Sequence, residues 1–69
     1  MNWFTEQRQH WIAETVWIFG SINRGHIQRK FGVSRMVAST DLRRFMESHP
    51  GVLVYDMSGK RYVVDEGKS

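Results

Sequence analysis

The side chains with the most chemistry to offer in this chain are cations, and they are unevenly placed. Between positions 24 and 44 stand Arg24, Arg29, Lys30, Arg35, Arg43 and Arg44 against Asp41 alone, a local charge of +5. Elsewhere Arg8, Lys60, Arg61 and Lys68 face Glu6, Glu14, Glu47, Asp56, Asp65 and Glu66, a charge of −2, and the whole chain sums to +3. A basic middle in a nearly neutral whole is the footprint of a localised polyanion-binding face. A solvated helical surface is the other account of such a run. The elements that carry the cations must decide between the two.

Catalysis finds no comparable cluster. His10, His26 and His49 are far apart and lack the His/Asp/Glu spacing of a metal site, and Glu6 and Glu14 sit on an amphipathic segment where solvation explains them. The absence of cysteine excludes disulfides and thiolate metal sites. Gly20, Gly25 and Gly32 are too widely spaced for a phosphate loop and follow no strand. No nucleophile, base and orienting group can be assembled. The chain reads as a non-enzyme, with no cofactor, metal or small-molecule ligand expected.

With 69 residues there is room for one small domain. A core of that size rarely supplies more than roughly 3–5 kcal/mol, so a partner is expected to add stability. Hydrophobic content of 41% and 25% charged residues suit a folded domain rather than a disordered one. No apolar run approaches the roughly 18–20 residues of a membrane span, and no basic segment followed by an apolar stretch opens the chain. A cytoplasmic protein is expected.

The elements follow from capping residues and periodicity. Between Thr5 and Phe19 there is no Gly or Pro, and Ile12, Val16 and Phe19 recur on one helical face. This predicts a first helix capped by Thr5, with Glu6 at the positive end of its dipole. Asn23 is a good cap for a second helix, Arg24 to Lys30, flanked by Ile22 and Ile27 at the positions of a hydrophobic staple and ended by Gly32. Ser34 caps a third helix that runs to about Ser48, where His49-Pro50-Gly51 stops it. Val52–Tyr55 and Arg61–Val64 then form two β-branched and aromatic runs around a short turn-rich connection, the pattern of a β-hairpin. A lone hairpin is marginal in water and must pack on the helices. The expected fold is α+β, mainly α: a winged helix-turn-helix of three helices and a C-terminal hairpin wing, spanning 1–64, with 65–69 a disordered tail.

At about 100° per residue, Ala38, Leu42 and Phe45 gather on one side of the third helix. Opposite lie Met36, Thr40 and Arg43, with Val37, Ser39 and Arg44 on the shoulders and Arg35 beside Ser34 at the start. The outer face has no acid until Glu47, whereas helices that only pack usually mix signs there. Such a face suits the major groove. Arg43 can fork onto guanine O6 and N7, Ser39 or Thr40 can bond base or phosphate, and Met36 or Val37 can touch a thymine methyl. Lys60 and Arg61, at the hairpin tip, suit the phosphate backbone or the minor groove, and equally the common use of lysine to guard an edge strand. Arg24 can aim a guanidinium at a phosphate from the start of the second helix.

These residues carry a resemblance. Gly20-Ser21-Ile22-Asn23-Arg24, Phe31-Gly32-Val33-Ser34 with Ala38-Ser39 and Asp41-Leu42, Pro50-Gly51, Tyr55-Asp56 and Lys60-Arg61-Tyr62-Val63 together resemble the N-terminal winged helix-turn-helix of bacterial WYL-domain transcriptional regulators. The string is similar in particular to the repressors associated with phage-defence systems, over about residues 8 to 64. The resemblance implies a homodimeric repressor that meets an inverted repeat through its third helix and wing. Members of that family continue into a WYL domain thought to sense a nucleic-acid or nucleotide ligand, whereas this chain stops at Ser69. Ligand sensing and the dimer contacts made by that C-terminal part therefore do not carry over. By association, a domain of this length fits a small phage or mobile-element regulator.

Three tryptophans exceed what a three-helix core needs. Phe4, Trp11 and Ile18 widen the inner stripe of the first helix, Trp17 points away from it, and Trp3 precedes it. Aromatics are enriched in protein interfaces, so a homodimer through Trp3, Phe4, Trp11, Trp17 and Ile18 is expected; coverage of these rings by the hairpin and N-terminal arm is the alternative. The functional expectation is a sequence-specific double-stranded-DNA-binding regulator, most simply a repressor. A protein-binding winged helix that inhibits or recruits a partner is the rival, and an architectural, DNA-bending role is a third reading.

Overall fold

The structure, a computed structural model, describes residues 2–65. The elements run α1 (Trp3–Phe19), β1 (Ser21–Ile22), α2 (Arg24–Phe31), α3 (Arg35–Ser48), β2 (Leu53–Asp56) and β3 (Arg61–Val64). The mainly helical α+β order expected from the sequence is present, with one additional short strand. Asp65 donates its backbone N–H to the Val52 carbonyl at 2.8 Å. The rest of the expected tail, 66–69, lies outside the described residues.

Local chemistry sets the helix ends. Asn2, not Thr5, caps α1: its side-chain oxygen accepts the Thr5 N–H at 2.8 Å, so the helix starts two residues before the position read from sequence. Thr5 stands inside the first turn instead, where its hydroxyl accepts from Arg8 at 3.4 Å. Asn23 accepts the His26 N–H at 2.8 Å while the His26 ring accepts the Asn23 N–H at 3.4 Å, a reciprocal cap that starts α2 as expected. Ser34 does the same for α3, accepting the Val37 N–H at 3.2 Å. Gly20 and Gly32 close α1 and α2 at φ of 76° and 65°, a left-handed turn that any side chain would strain.

The wing is better supported than the sequence implied. β2 and β3 pair antiparallel, with Val54 opposite Val63 and Asp56 opposite Arg61. β1 adds to the free side of β3, Ser21 opposite Val63 and Ile22 opposite Tyr62, giving the order β1-β3-β2. A two-residue strand has no period to read, so it was invisible in the sequence. Its effect is structural: the hairpin becomes a three-stranded sheet tied to the turn between α1 and α2.

The core gathers Ile12, Val16, Ile22, Ile27, Ala38, Leu42, Phe45 and Leu53 from every element but β3. The inner stripe of α1 is narrower than its periodicity suggested. Phe19 is 75% exposed, and Phe4 and Ile18 are exposed as well, because burial on this 17-residue helix is confined to Ile12, Thr15 and Val16 at its centre and C-terminal half.

A polar cluster at Asp41 joins α1 and α3. The Arg8 guanidinium from α1 pairs with the Asp41 carboxylate from α3, Nε on Oδ2 with Nη2 3.4 Å from Oδ1, and Gln9 donates to the Asp41 carbonyl at 2.9 Å. Asp41 is only 2% exposed. Among the described residues no buried side-chain nitrogen or oxygen is left without a partner. Arg8→Ala strands this carboxylate and is expected to cost about 3–5 kcal/mol, whereas Arg8→Met combined with Asp41→Leu recovers most of that loss. Urea unfolding of the three proteins checks it; equal midpoints for the single and double variants would contradict the pairing's role.

Candidate nucleic-acid interface

α3 divides as its periodicity requires. Ala38, Asp41, Leu42 and Phe45 are buried, while Arg35, Met36, Arg43 and Arg44 are exposed, Met36 at 77%. Val37 and Ser39 are half-buried on the flanks, and Thr40, which the periodicity placed opposite the core with Met36 and Arg43, is half-buried rather than exposed. Ala38 is wholly enclosed in the cluster that holds Ile27 of α2 and Leu42, and its small side chain lets those two helices approach. Ser34 is exposed and its hydroxyl is occupied in capping α3. A rod with one apolar face inside and one cationic, hydroxyl-bearing face outside is the shape and chemistry a major groove accepts.

Burial of Asp41 changes the electrostatics of this face. The one acid in the basic middle is turned inward onto Arg8. Among the described residues no carboxylate lies within ion-pair distance of Arg24, Arg29, Lys30, Arg35, Arg43 or Arg44. Arg24 instead donates to the Ser39 hydroxyl at 3.4 Å, which joins the start of α2 to the flank of α3. Residues fifteen apart in sequence gave no local sign of that contact.

Both wing cations, Lys60 and Arg61, are exposed. Lys60 comes together with Arg24 and Arg35 around a cleft of about 370 Å³ between α2, the start of α3 and the wing, to which Gln28, Arg29, Tyr55 and Tyr62 also contribute. The last four were not among the site residues picked out by sequence; the two tyrosines read as strand residues within the string that carries the resemblance, and Arg29 only as part of the charge run. The expected interface aromatics lie elsewhere. Trp3, Phe4, Trp17 and Ile18 of α1 are exposed, and Trp11 is half-buried with its ring edge-on to Phe31, centroids 5.6 Å apart.

Among the described residues no three His, Asp or Glu side chains are grouped to hold a metal ion, and no helix is long and apolar enough to cross a membrane.

Three helices with the third presented outward, followed by a hairpin that pairs with the short strand before the second, define a winged helix-turn-helix domain of the kind found in transcriptional regulators. Residues 5–67 match the family described as the BrxR transcriptional regulator winged helix-turn-helix domain, and the chain belongs to that family. No curated protein matches the sequence.

The partition of α3 is checkable by stability alone. Ala38→Leu is expected to lower stability by about 1–3 kcal/mol through overpacking, and Arg43→Ala to change it by less than about 0.5 kcal/mol. Thermal unfolding of both variants measures this, and a reversed ranking would show that the helix is turned the other way.

Proposed function

We propose that this domain binds duplex DNA sequence-specifically as a homodimer, with α3 in the major groove and the wing on the backbone, and represses transcription from an inverted repeat. The observation that carries the reading is the acid-free outer face of α3, from Arg35 to Arg44, with Asp41 withdrawn into the core. Arg43 is assigned to base readout, with Met36, Val37, Ser39 and Thr40 around it, and Arg24, Ser34, Arg35, Arg44, Lys60 and Arg61 to positioning on phosphates. The resemblance to WYL-linked repressors supports repression as the outcome.

The dimer rests on α1. Trp3, Phe4, Trp17 and Ile18 are each more than half exposed. At roughly 150–250 Å² per large ring side chain, they leave several hundred Å² of apolar surface, close to the about 800 Å² that each partner contributes to a standard interface. Phe4, Trp11 and Ile18 are spaced by seven residues and so line one flank of the helix. A two-fold pair would set two α3 helices about 34 Å apart on successive turns of DNA. The same exposed aromatics would serve a protein-binding winged helix, which is the rival reading.

Selection of bound sequences from random duplexes tests readout. Arg43→Ala is expected to lose preference at one base pair, worth about 1–3 kcal/mol, with general affinity largely kept; a uniform drop across all sequences would move Arg43 to the phosphate set. With about four phosphate contacts per subunit, log K is expected to fall with log salt at a slope near −7. A wild-type chain that selects no duplex at all leaves the protein-binding reading. Sedimentation is expected to show a dimer at tens of micromolar that Ile18→Glu dissociates, and a monomeric wild type would remove the dimer.

A further inference from the structure

The cleft between α2, α3 and the wing has its own chemistry. Four cations, Arg24, Arg29, Arg35 and Lys60, line an opening of about 370 Å³, with two tyrosines and no carboxylate. They come from three separate elements, so no single helix or strand explains their convergence. Like charges brought together without an acid repel one another and stay together only where the fold forces it or an anion repays it.

Two backbone features keep the cleft open and armed. A Cβ on Gly25 would lie 3.2 Å from both the Arg29 guanidinium and the Asn23 side-chain oxygen, so the glycine leaves the space over which Arg29 folds back. Lys60 has φ of 55°, and it alone among the described non-glycine residues has positive φ. A left-handed lysine is uncommon, and glycine would take that position without strain. Arg61, by contrast, does not line the cleft: its side chain and that of Asp56 both lie against Gly59, within 3.2 Å of where a Cβ there would be. The two wing cations therefore differ, and only Lys60 reaches the cleft.

We infer that this cleft seats a single phosphodiester of one DNA strand, with Arg24, Arg29, Arg35 and Lys60 around its oxygens and a tyrosine hydroxyl able to donate to them. The inference rests on the DNA-binding reading and deepens it. One phosphate gripped by α2, α3 and the wing together fixes how far α3 enters the groove, and it carries no sequence information.

Lys60→Gly separates this role from folding, because glycine accepts the left-handed backbone while removing the ammonium. Binding to a selected duplex and to a random duplex is measured by fluorescence anisotropy between 0.05 and 0.2 M salt, about the range in which phosphate contacts are read out. The expected result is a thermal midpoint no lower than wild type and an equal, several-fold loss on both duplexes near 0.15 M salt, with a log–log slope shallower by no more than about 0.9 per subunit because Arg24, Arg29 and Arg35 stay on the same phosphate. A wild type that binds duplex while Lys60→Gly keeps its affinity and slope would refute the seat and leave the DNA reading standing. A wild type that binds no duplex would remove both. Inorganic phosphate that raises the thermal midpoint of the wild type but not of Lys60→Gly, with the DNA slope unchanged, would assign the cleft to free phosphate and overturn the phosphodiester.

Discussion

The pairing of Arg8 with Asp41 is the contact on which the presentation of α3 depends. Burial of Ala38, Leu42 and Phe45 is a non-directional force and constrains the rotation of the helix less sharply than a paired charge does. A buried carboxylate does not tolerate such a turn. With Asp41 almost wholly enclosed, rotation away from Arg8 would leave a charge in the interior without its partner, a loss far larger than that of a few van der Waals contacts. The ion pair thus acts as a pin between α1 and α3, and the Gln9 contact to the Asp41 carbonyl braces it. Its second consequence is electrostatic. A chain with six cations and one acid between positions 24 and 44 exposes five of the cations, leaves Arg24 half-buried and hides the acid, so the face turned to solvent is more basic than the sequence average.

The wing is placed by a different kind of constraint, backbone pairing. The left-handed turn at Gly20 brings Ser21 and Ile22 alongside β3, and the Gly20 carbonyl accepts the Val64 N–H at 2.9 Å. Ile22 does two jobs at once: it pairs opposite Tyr62 in the sheet and is completely buried in the helical core. The hairpin is therefore anchored one residue before the cap that starts α2. Any movement of the wing relative to α2 must break that short ladder, which is why Lys60 and Arg24 can share a cleft although they are far apart in the chain.

What the sequence made legible was whatever is decided locally. Asn23 and Ser34 announce helix starts because a side-chain oxygen three residues before a free N–H is a short-range signal, and Gly32 announces an end for the same reason. The alternation of buried and exposed positions on α3 was likewise readable, because one period governs fourteen residues. Local reasoning also misplaced the start of α1, where Thr5 and Asn2 are both credible caps and only the structure shows which is used. It counted Phe19 as core because periodicity cannot tell where the opposing elements stop. The Arg8–Asp41 pair, the strand at Ser21–Ile22 and the tyrosines of the cleft were not legible, since each depends on residues twenty or more positions apart meeting in space.

The geometry of α1 constrains how a second copy can sit if both α3 helices are to reach one duplex. At about 100° per residue, Arg8, Ile12 and Val16 point toward the rest of the domain, and Trp3 and Trp17 lie roughly on the opposite pole. A partner seated squarely on that pole would carry its own α3 to the far side of the pair, facing away from the first. Phe4, Trp11 and Ile18 instead lie about a quarter turn from the inward direction, on the flank beside α2, where Trp11 already meets Phe31. Contact along this flank leaves both outer faces of α3 free to point the same way. The half-burial of Trp11 fits that arrangement, because a ring already held at its edge offers a rigid surface and loses little freedom when its remaining face is covered. The tryptophans at the pole would then border such an interface rather than centre it, and the flank would join the proposed dimer to the proposed DNA face through α2.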